Sequence, residues 1–241
     1  MNKNLRVTNS GDTAKVFILG DIGGWDGVQA RDLLSELEGI TSNKIELHLN
    51  SYGGDVFEGT TIFNALRDHP ATVTTYVDGV AASAASFIAM AGDRIIMSRG
   101  SQMMIHDAMG ACIGNAAEMR KFEALLDRTS NNIAELYASR AGGTAEQWRE
   151  RMRAETWYNA AEAVKAGLAD EASGADEASP QDAMRNQHSA LLNKFKYQDR
   201  AQAPAPDISA GDQSSKTPTE TEPTSEVDLL AIRDALKEAF K

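Results

Sequence analysis

Along the first two thirds of the chain, short apolar runs alternate with amphipathic ones, and this alternation narrows the fold more than any other feature. VFIL (16–19) reads as a strand, and DGVQARDLLSELEG after it carries Ala30, Leu33, Leu34 and Leu37 on one helical face. IELHLN repeats the strand pattern with Ile45, Leu47 and Leu49 alternating. After the break SYGG, Val56, Ile62, Phe63 and Leu66 fall at helical spacing. ATVTTYVDG is a third strand with Val73, Thr75 and Val77 on one side. The small-residue segment VAASAASFIAMAG reads as a tightly packed helix, and DRIIMS and SQMMIHD as further short strands. Repeated βαβ units of this kind predict an α/β fold with a mostly parallel sheet, right-handed crossovers and covering helices.

From Asn115 to Arg140 the pattern changes. Met119, Phe122, Leu126, Ile133 and Leu136 recur at helical steps, which predicts one long helix ending before Gly142-Gly143. Such a helix can project beyond a compact domain, so a partner subunit is expected to bury its stripe; an ordinary core helix is the other reading. Between Ser173 and Ser225 the chain is rich in Ala, Ser, Asp, Glu, Gln, Pro and Thr, with too few large apolar residues to offset ordering entropy. Leu229, Ile232, Leu236 and Phe240 then return to helical spacing, after a capping-box pattern of Ser225 and Asp228. The expected organisation is a domain over 1–172, a polar, disordered linker over 173–225 and a short amphipathic helix over 226–241.

Composition removes several functions. A formal net charge of -11 disfavours phosphate backbones, so no nucleic-acid partner is expected. No apolar run approaches the roughly 20 residues of a membrane helix, and MNKNLRVTNSGD lacks an export signal; a cytoplasmic, membrane-free protein is predicted. A single cysteine, Cys112, excludes an internal disulfide. Neither metal-ligand spacings nor nucleotide-binding glycine loops occur, so no cofactor, metal or ATP site is expected.

Only four histidines can supply a general base. His188 lies in the polar tail, and His69, in RDHPA, ends a helix; both are expected in solvent. His48 faces away from Leu47 and Leu49, with no evident partner. His106 closes the apolar run MMI at the carboxyl end of a predicted strand, where functional groups of parallel sheets gather. A hydrogen-bonded structural histidine fits that position equally. Ser83 and Ser86 both lie where a strand meets a helix, so backbone amides there can hold an oxyanion. Their neighbours Ala81, Ala82, Ala84 and Ala85 admit a substrate backbone, or simply pack closely. There is no G-x-S-x-G elbow. The glycines of NSYGG can present bare N–H groups, or form a plain turn.

Taken in order, NSYGGDV (50–56), DGVAASAASFIAMAGD (78–93), SQMMIHDA (101–108), the long helix and ETWYNAAEAVKAGLAD (155–170) resemble the Clp peptidase family, over about residues 15–172. The resemblance implies a ClpP/crotonase-like fold and a serine endopeptidase acting on proteins or peptides. It implies Ser83 as nucleophile, with Ser86 second, His106 as base, and Gly54 and Ala84 as oxyanion-hole amides. Its acidic third member falls on Glu155, one methylene longer than the family's aspartate; Asp107 and Asp170 are the alternatives. The resemblance also implies that the long helix interlocks subunits of a homo-oligomeric ring or double ring. Only about 14 residues precede VFIL, which argues against an AAA+ unfoldase partner. The polar tail and ETWYNAAEAVKAGLADE resemble the phage-encoded head maturation branch, implying scaffold or capsid proteins as partners, in the host cytoplasm or prohead interior. Rival expectations are a housekeeping Clp subunit, a crotonase-like acyl-CoA enzyme and a non-catalytic scaffold of the same fold.

Overall fold

Leu5–Ser10 (β1) and Thr13–Leu19 (β2) fold back on each other as an antiparallel pair, turning at Gly11, whose φ of 62° suits glycine. The turn and β1 went unread in the sequence because LRVTNS is mostly polar. The computed structural model describes residues 3–173 and 194–208. From β2 the chain follows the expected alternation: α1 (Ala30–Glu38), β3 (Lys44–Ser51), α2 (Val56–Asp68) and β4 (Thr72–Ala82). The inward faces of β3 and β4 are those anticipated, with Ile45, Leu47 and Leu49 and Val73, Thr75 and Val77 all buried; on β2 the buried face is Ala14, Val16 and Ile18. On α1, Ala30, Leu33 and Leu37 are buried, whereas Leu34, expected on the same face, is exposed at its edge.

Strands β2, β3 and β4 are parallel, and β4 then serves two partners. Its first half, Thr74–Val77, pairs with β5 (Arg94–Met97); its second half, Val80–Ala82, pairs with β6 (Gln102–Ile105). This second ladder corrects the expectation that VAASAASFIAMAG is wholly helical. Val80–Ala82 are strand, and only Ala84–Ala89 form a helix, α3. The ladder hydrogen bonds to β6 outweigh the helical preference of alanine.

The long helix is α4 (Ala116–Ala141), opened by a capping box of Asn115 and Glu118 and closed at Gly142. Its second half buries Ile133, Ala134 and Tyr137, while its first half stands out from the body with Met119 exposed. A further helix, α5 (Ala145–Arg153), had no clear apolar period but buries Trp148 and Met152. The chain then enters β7 (Thr156–Asn159), antiparallel to β6, followed by α6 (Ala160–Lys165) and β8 (Glu171–Ala172), which pairs with β5. No helix among the described residues is long and apolar enough to cross a membrane.

Residues 194–208 fall within the stretch expected as an unstructured linker, yet they pack on the body. Ala203 is buried against Val80, Ala82, Met104 and Trp157, with Phe195 and Tyr197 beside them. Those four residues lie on the sheet face opposite the main core, and apolar side chains there need a cover. The amphipathic helix expected over 226–241 and the remainder of the linker lie outside the described residues.

Candidate active site

The site forms where β4 and β6 end side by side. Ala82 is opposite Met104, and the Ser83 N–H donates to the Met104 carbonyl at 2.9 Å, so residue 83 emerges next to His106. There the chain turns sharply into α3. Ser83 is held at φ 53° and ψ −125°, a conformation that costs a non-glycine residue of order 1–3 kcal/mol and persists only where its surroundings enforce it. The turn lifts the Ser83 hydroxyl to 2.7 Å from His106 Nε2. Ser83 and His106 are thus brought together. Ser86 is not: it is fully buried, with its hydroxyl donating to the Ser83 carbonyl and 2.7 Å from the Tyr137 hydroxyl. It braces the turn.

NSYGG supplies the opposite wall, through Asn50, Ser51, Gly53 and Gly54. Asn50 Oδ1 accepts from the Val80 N–H at 3.2 Å, bridging the irregularity where the β3–β4 register shifts. The buried Ser51 hydroxyl accepts from the Gly53 N–H. Gly53 lies so close to the nucleophile that a Cβ there would come within 2.7 Å of the Ser83 Cβ. Gly54, at φ 147°, bridges Ile22: the Ile22 N–H donates to the Gly53 carbonyl and the Asp55 N–H to the Ile22 carbonyl. That pattern turns the Gly54 N–H to the other side. Ala84 is the first residue of α3, so its N–H has no intrahelical acceptor. Both residues line the same cleft as Ser83 and His106.

Burial holds the His106 pKa below the ordinary value, against the opposing charges of Glu155 and Asp107. The ring therefore stays neutral, as a proton acceptor requires. Glu155 reaches it through the β6–β7 register: Ile105 pairs with Thr156, so His106 and Glu155 follow as the next facing positions. Yet no hydrogen bond joins the Glu155 carboxylate to the imidazole among the described residues. Glu155, itself at φ 55°, accepts from the N–H of Lys196 at 2.7 Å and of Tyr197 at 2.8 Å, and acts on the ring through its charge. The two alternatives are engaged elsewhere. Asp107 forms a forked pair with the buried Arg149, and Asp170 accepts from the Ile95 N–H and pairs with Arg140.

A cleft of about 290 Å³ opens beside the pair, walled by Val56, Phe87, Met109 and the α4 residues Phe122, Leu125 and Leu126. The sequence reading missed this second role of α4, since periodicity reveals a buried stripe but not what it covers. It also missed Phe195, whose ring meets His106 edge-on with centroids 5.4 Å apart. The signal was present as FKY, an aromatic pair in an otherwise polar tail.

His48 has the partners its sequence context did not suggest. It stacks between Phe17 and Tyr76, with Nδ1 3.0 Å from Asp78, on the face away from the core. His69 Nδ1 accepts from the Ala71 N–H, closing a turn, and His188 lies outside the described residues.

The family model for Clp protease matches residues 13–175, and the chain belongs to the Clp protease family, whose members are serine-type endopeptidases. Among similar proteins, an ATP-dependent Clp protease proteolytic subunit of Chlorella vulgaris is 32% identical over 127 residues, which are 52% of this chain and 63% of that subunit, just under two thirds of its length. Proteolytic subunit 2 of Pseudomonas aeruginosa is 28% identical over 159 residues, 64% of this chain and 78% of that one. Subunit 2 of Corynebacterium glutamicum is 31% identical over 144 residues, 58% and 71% respectively.

Proposed function

We propose that this chain is a serine endopeptidase in which Ser83 is the nucleophile, His106 the general base, and the Gly54 and Ala84 amides the oxyanion donors. The observation that carries the reading is the 2.7 Å contact between the Ser83 hydroxyl and His106 Nε2 at the mouth of an apolar cleft. With Nδ1 carrying the ring proton, Nε2 accepts the Ser83 proton as the oxygen attacks the scissile carbonyl. The negative charge passes to the carbonyl oxygen, which accepts from the two amides. The imidazolium then protonates the leaving amine. Water, deprotonated by the same ring, releases the acyl group and restores Ser83. A crotonase-like acyl-CoA enzyme needs no serine–histidine pair, so this contact argues against that reading.

The substrates we propose are scaffold or capsid proteins cleaved during phage head assembly, inside a homo-oligomer. Support comes from the resemblance of ETWYNAAEAVKAGLADE to that branch and from the chain beyond residue 175, which the family model does not match. The relatives are named as subunits of an ATP-dependent protease, which keeps a housekeeping role with an unfoldase as the second reading. Two measurements decide. Intact masses of head proteins co-expressed with wild type should show fragments that vanish with Ser83→Ala; identical fragments in both samples sink the peptidase assignment. ATP-dependent degradation of a stably folded protein with an added unfoldase, and no processing of head proteins, would select the housekeeping role.

A further inference from the structure

Phe195 is wedged between the imidazole and the sheet, with ring centroids 5.4 Å from His106 and 6.4 Å from Trp157, edge-on to both. The next two residues turn consecutive amides onto Glu155, Lys196 to one carboxylate oxygen and Tyr197 to the other. Farther along, the Arg200 guanidinium grips both oxygens of Glu162 at 2.6 Å, and the Arg200 N–H donates to Gln102 Oε1 at 2.9 Å. Ala203 completes the anchorage by filling the small apolar cluster around Trp157. Gln102 begins the strand that delivers His106, and Glu162 follows the strand that starts beside Glu155. The segment is therefore fastened to the two elements that carry the base and its acidic neighbour.

We propose that residues 195–203 form a strap in cis that holds the His106 ring and the Glu155 carboxylate in working position, with Phe195 as a positioning residue for the base. The inference rests on the assignment of Ser83 and His106 given above. In the absence of a hydrogen bond from Glu155 to the imidazole, ring rotation is restrained on that side by the Phe195 edge. The two strap amides fix where the Glu155 charge sits. The cleft lining includes no strap residue, so the strap supports the ring without filling the space beside Ser83.

Removing the Phe195 ring lets water reach the imidazole. The charged and titratable groups that face it are the Ser83 hydroxyl from the β4–α3 turn, Asp107 with its Arg149 partner on α5, and Glu155 ahead of β7, while the Lys196 ammonium on the strap lies over the Tyr197 ring. Burial is the largest influence on the ring and lowers its pKa, while both carboxylates raise it. Hydration therefore moves the protonation of His106 to higher pH.

The test uses the full chain and an alkyl fluorophosphonate, read as the rate of Ser83 labelling against pH, which requires no knowledge of the natural substrate. Phe195→Ala should label about tenfold to 10²-fold more slowly at pH 7, with its acid limb displaced to higher pH, and Phe195→Tyr should restore most of the rate. Labelling of Phe195→Ala at the wild-type rate with an unmoved acid limb overturns the strap. So does faster labelling, which would mean that the segment obstructs the site. If Phe195→Ala does not fold, Arg200→Ala loosens the anchor at a distance from the imidazole, and the same slowing and shift are expected of it. Wild-type labelling at a residue other than Ser83, or persisting in Ser83→Ala, instead sinks the underlying catalytic assignment.

Discussion

Ser83 makes the clearest demand on its surroundings, because φ 53° is unfavourable for any side chain with a Cβ. Ser83→Ala removes the hydroxyl and keeps the strain, whereas Ser83→Gly removes both. Both variants should be inactive, with turnover down roughly 10³-fold or more. Thermal melting of the glycine variant should lie above that of the alanine variant, by an increment equivalent to about 1 kcal/mol. Equal melting temperatures would mean that the turn carries no strain. At His106 the sign follows from burial, which disfavours the charged form. Activity should persist below the ordinary histidine pKa of about 6.5 before it fades. Stability runs the same way: the unfolded chain takes up this proton near 6.5 while the folded one resists it, so the contribution of His106 to stability declines as pH falls through that window. A pH–rate profile whose acid limb lies above about 6.5 would contradict this. The residues were legible through the family resemblance, but their strain and burial were not. By spacing Ser83 and Ser86 are both serines among alanines; the family resemblance ranks Ser83 first, and the β4–β6 pairing gives the physical reason, setting one hydroxyl beside imidazole and the other against Tyr137.

At the scale of elements, the turn after β3 has almost no freedom to vary. A Cβ on Gly54 would lie 2.0 Å from the Ile22 carbonyl oxygen, and on Gly53 2.6 Å from that of Ala82. Gly54→Ala should therefore cost at least about 2 kcal/mol and abolish fluorophosphonate labelling, both measurable on one preparation by thermal melting and gel fluorescence. Normal melting with normal labelling would show that the Gly54 amide is not where the reaction needs it. The elements themselves were largely readable. The apolar run of β2, alternation along β3 and β4 and the helical spacing of α1, α2 and α4 exposed the βαβ plan, because each buries one face against the same core. What escaped was whatever depends on partners distant in sequence. Val80–Ala82 look helical in isolation and become strand through β6. β1 and α5 lack strong periods, and the strap has only Phe195, Tyr197 and Ala203 to pack.

On the scale of the whole molecule, α4 has two halves with different surroundings. Its second half is packed by Ile133, Ala134 and Tyr137, and its first half leaves Met119 exposed and Phe122, Leu125 and Leu126 lining the cleft. A second copy of the chain seated there would bury the stripe and wall the cleft at once. Sedimentation should accordingly give a mass several times that of one chain, and Met119→Asp should lower it together with labelling; a monomeric wild type labelled at full rate would contradict this. The placement of β6 beside β7 carries a different consequence. Ile105 and Thr156 are neighbours although the whole of α4 and α5 lies between them in sequence, so that excursion is a detour off a closed ladder. Within that excursion the second half of α4 and α5 are tied to the core and to the site through Tyr137 and Arg149, whereas the first half of α4 can vary while residues 106 and 155 stay face to face. Substrate choice and subunit arrangement can then diverge among descendants of one such chain while the chemistry stays fixed.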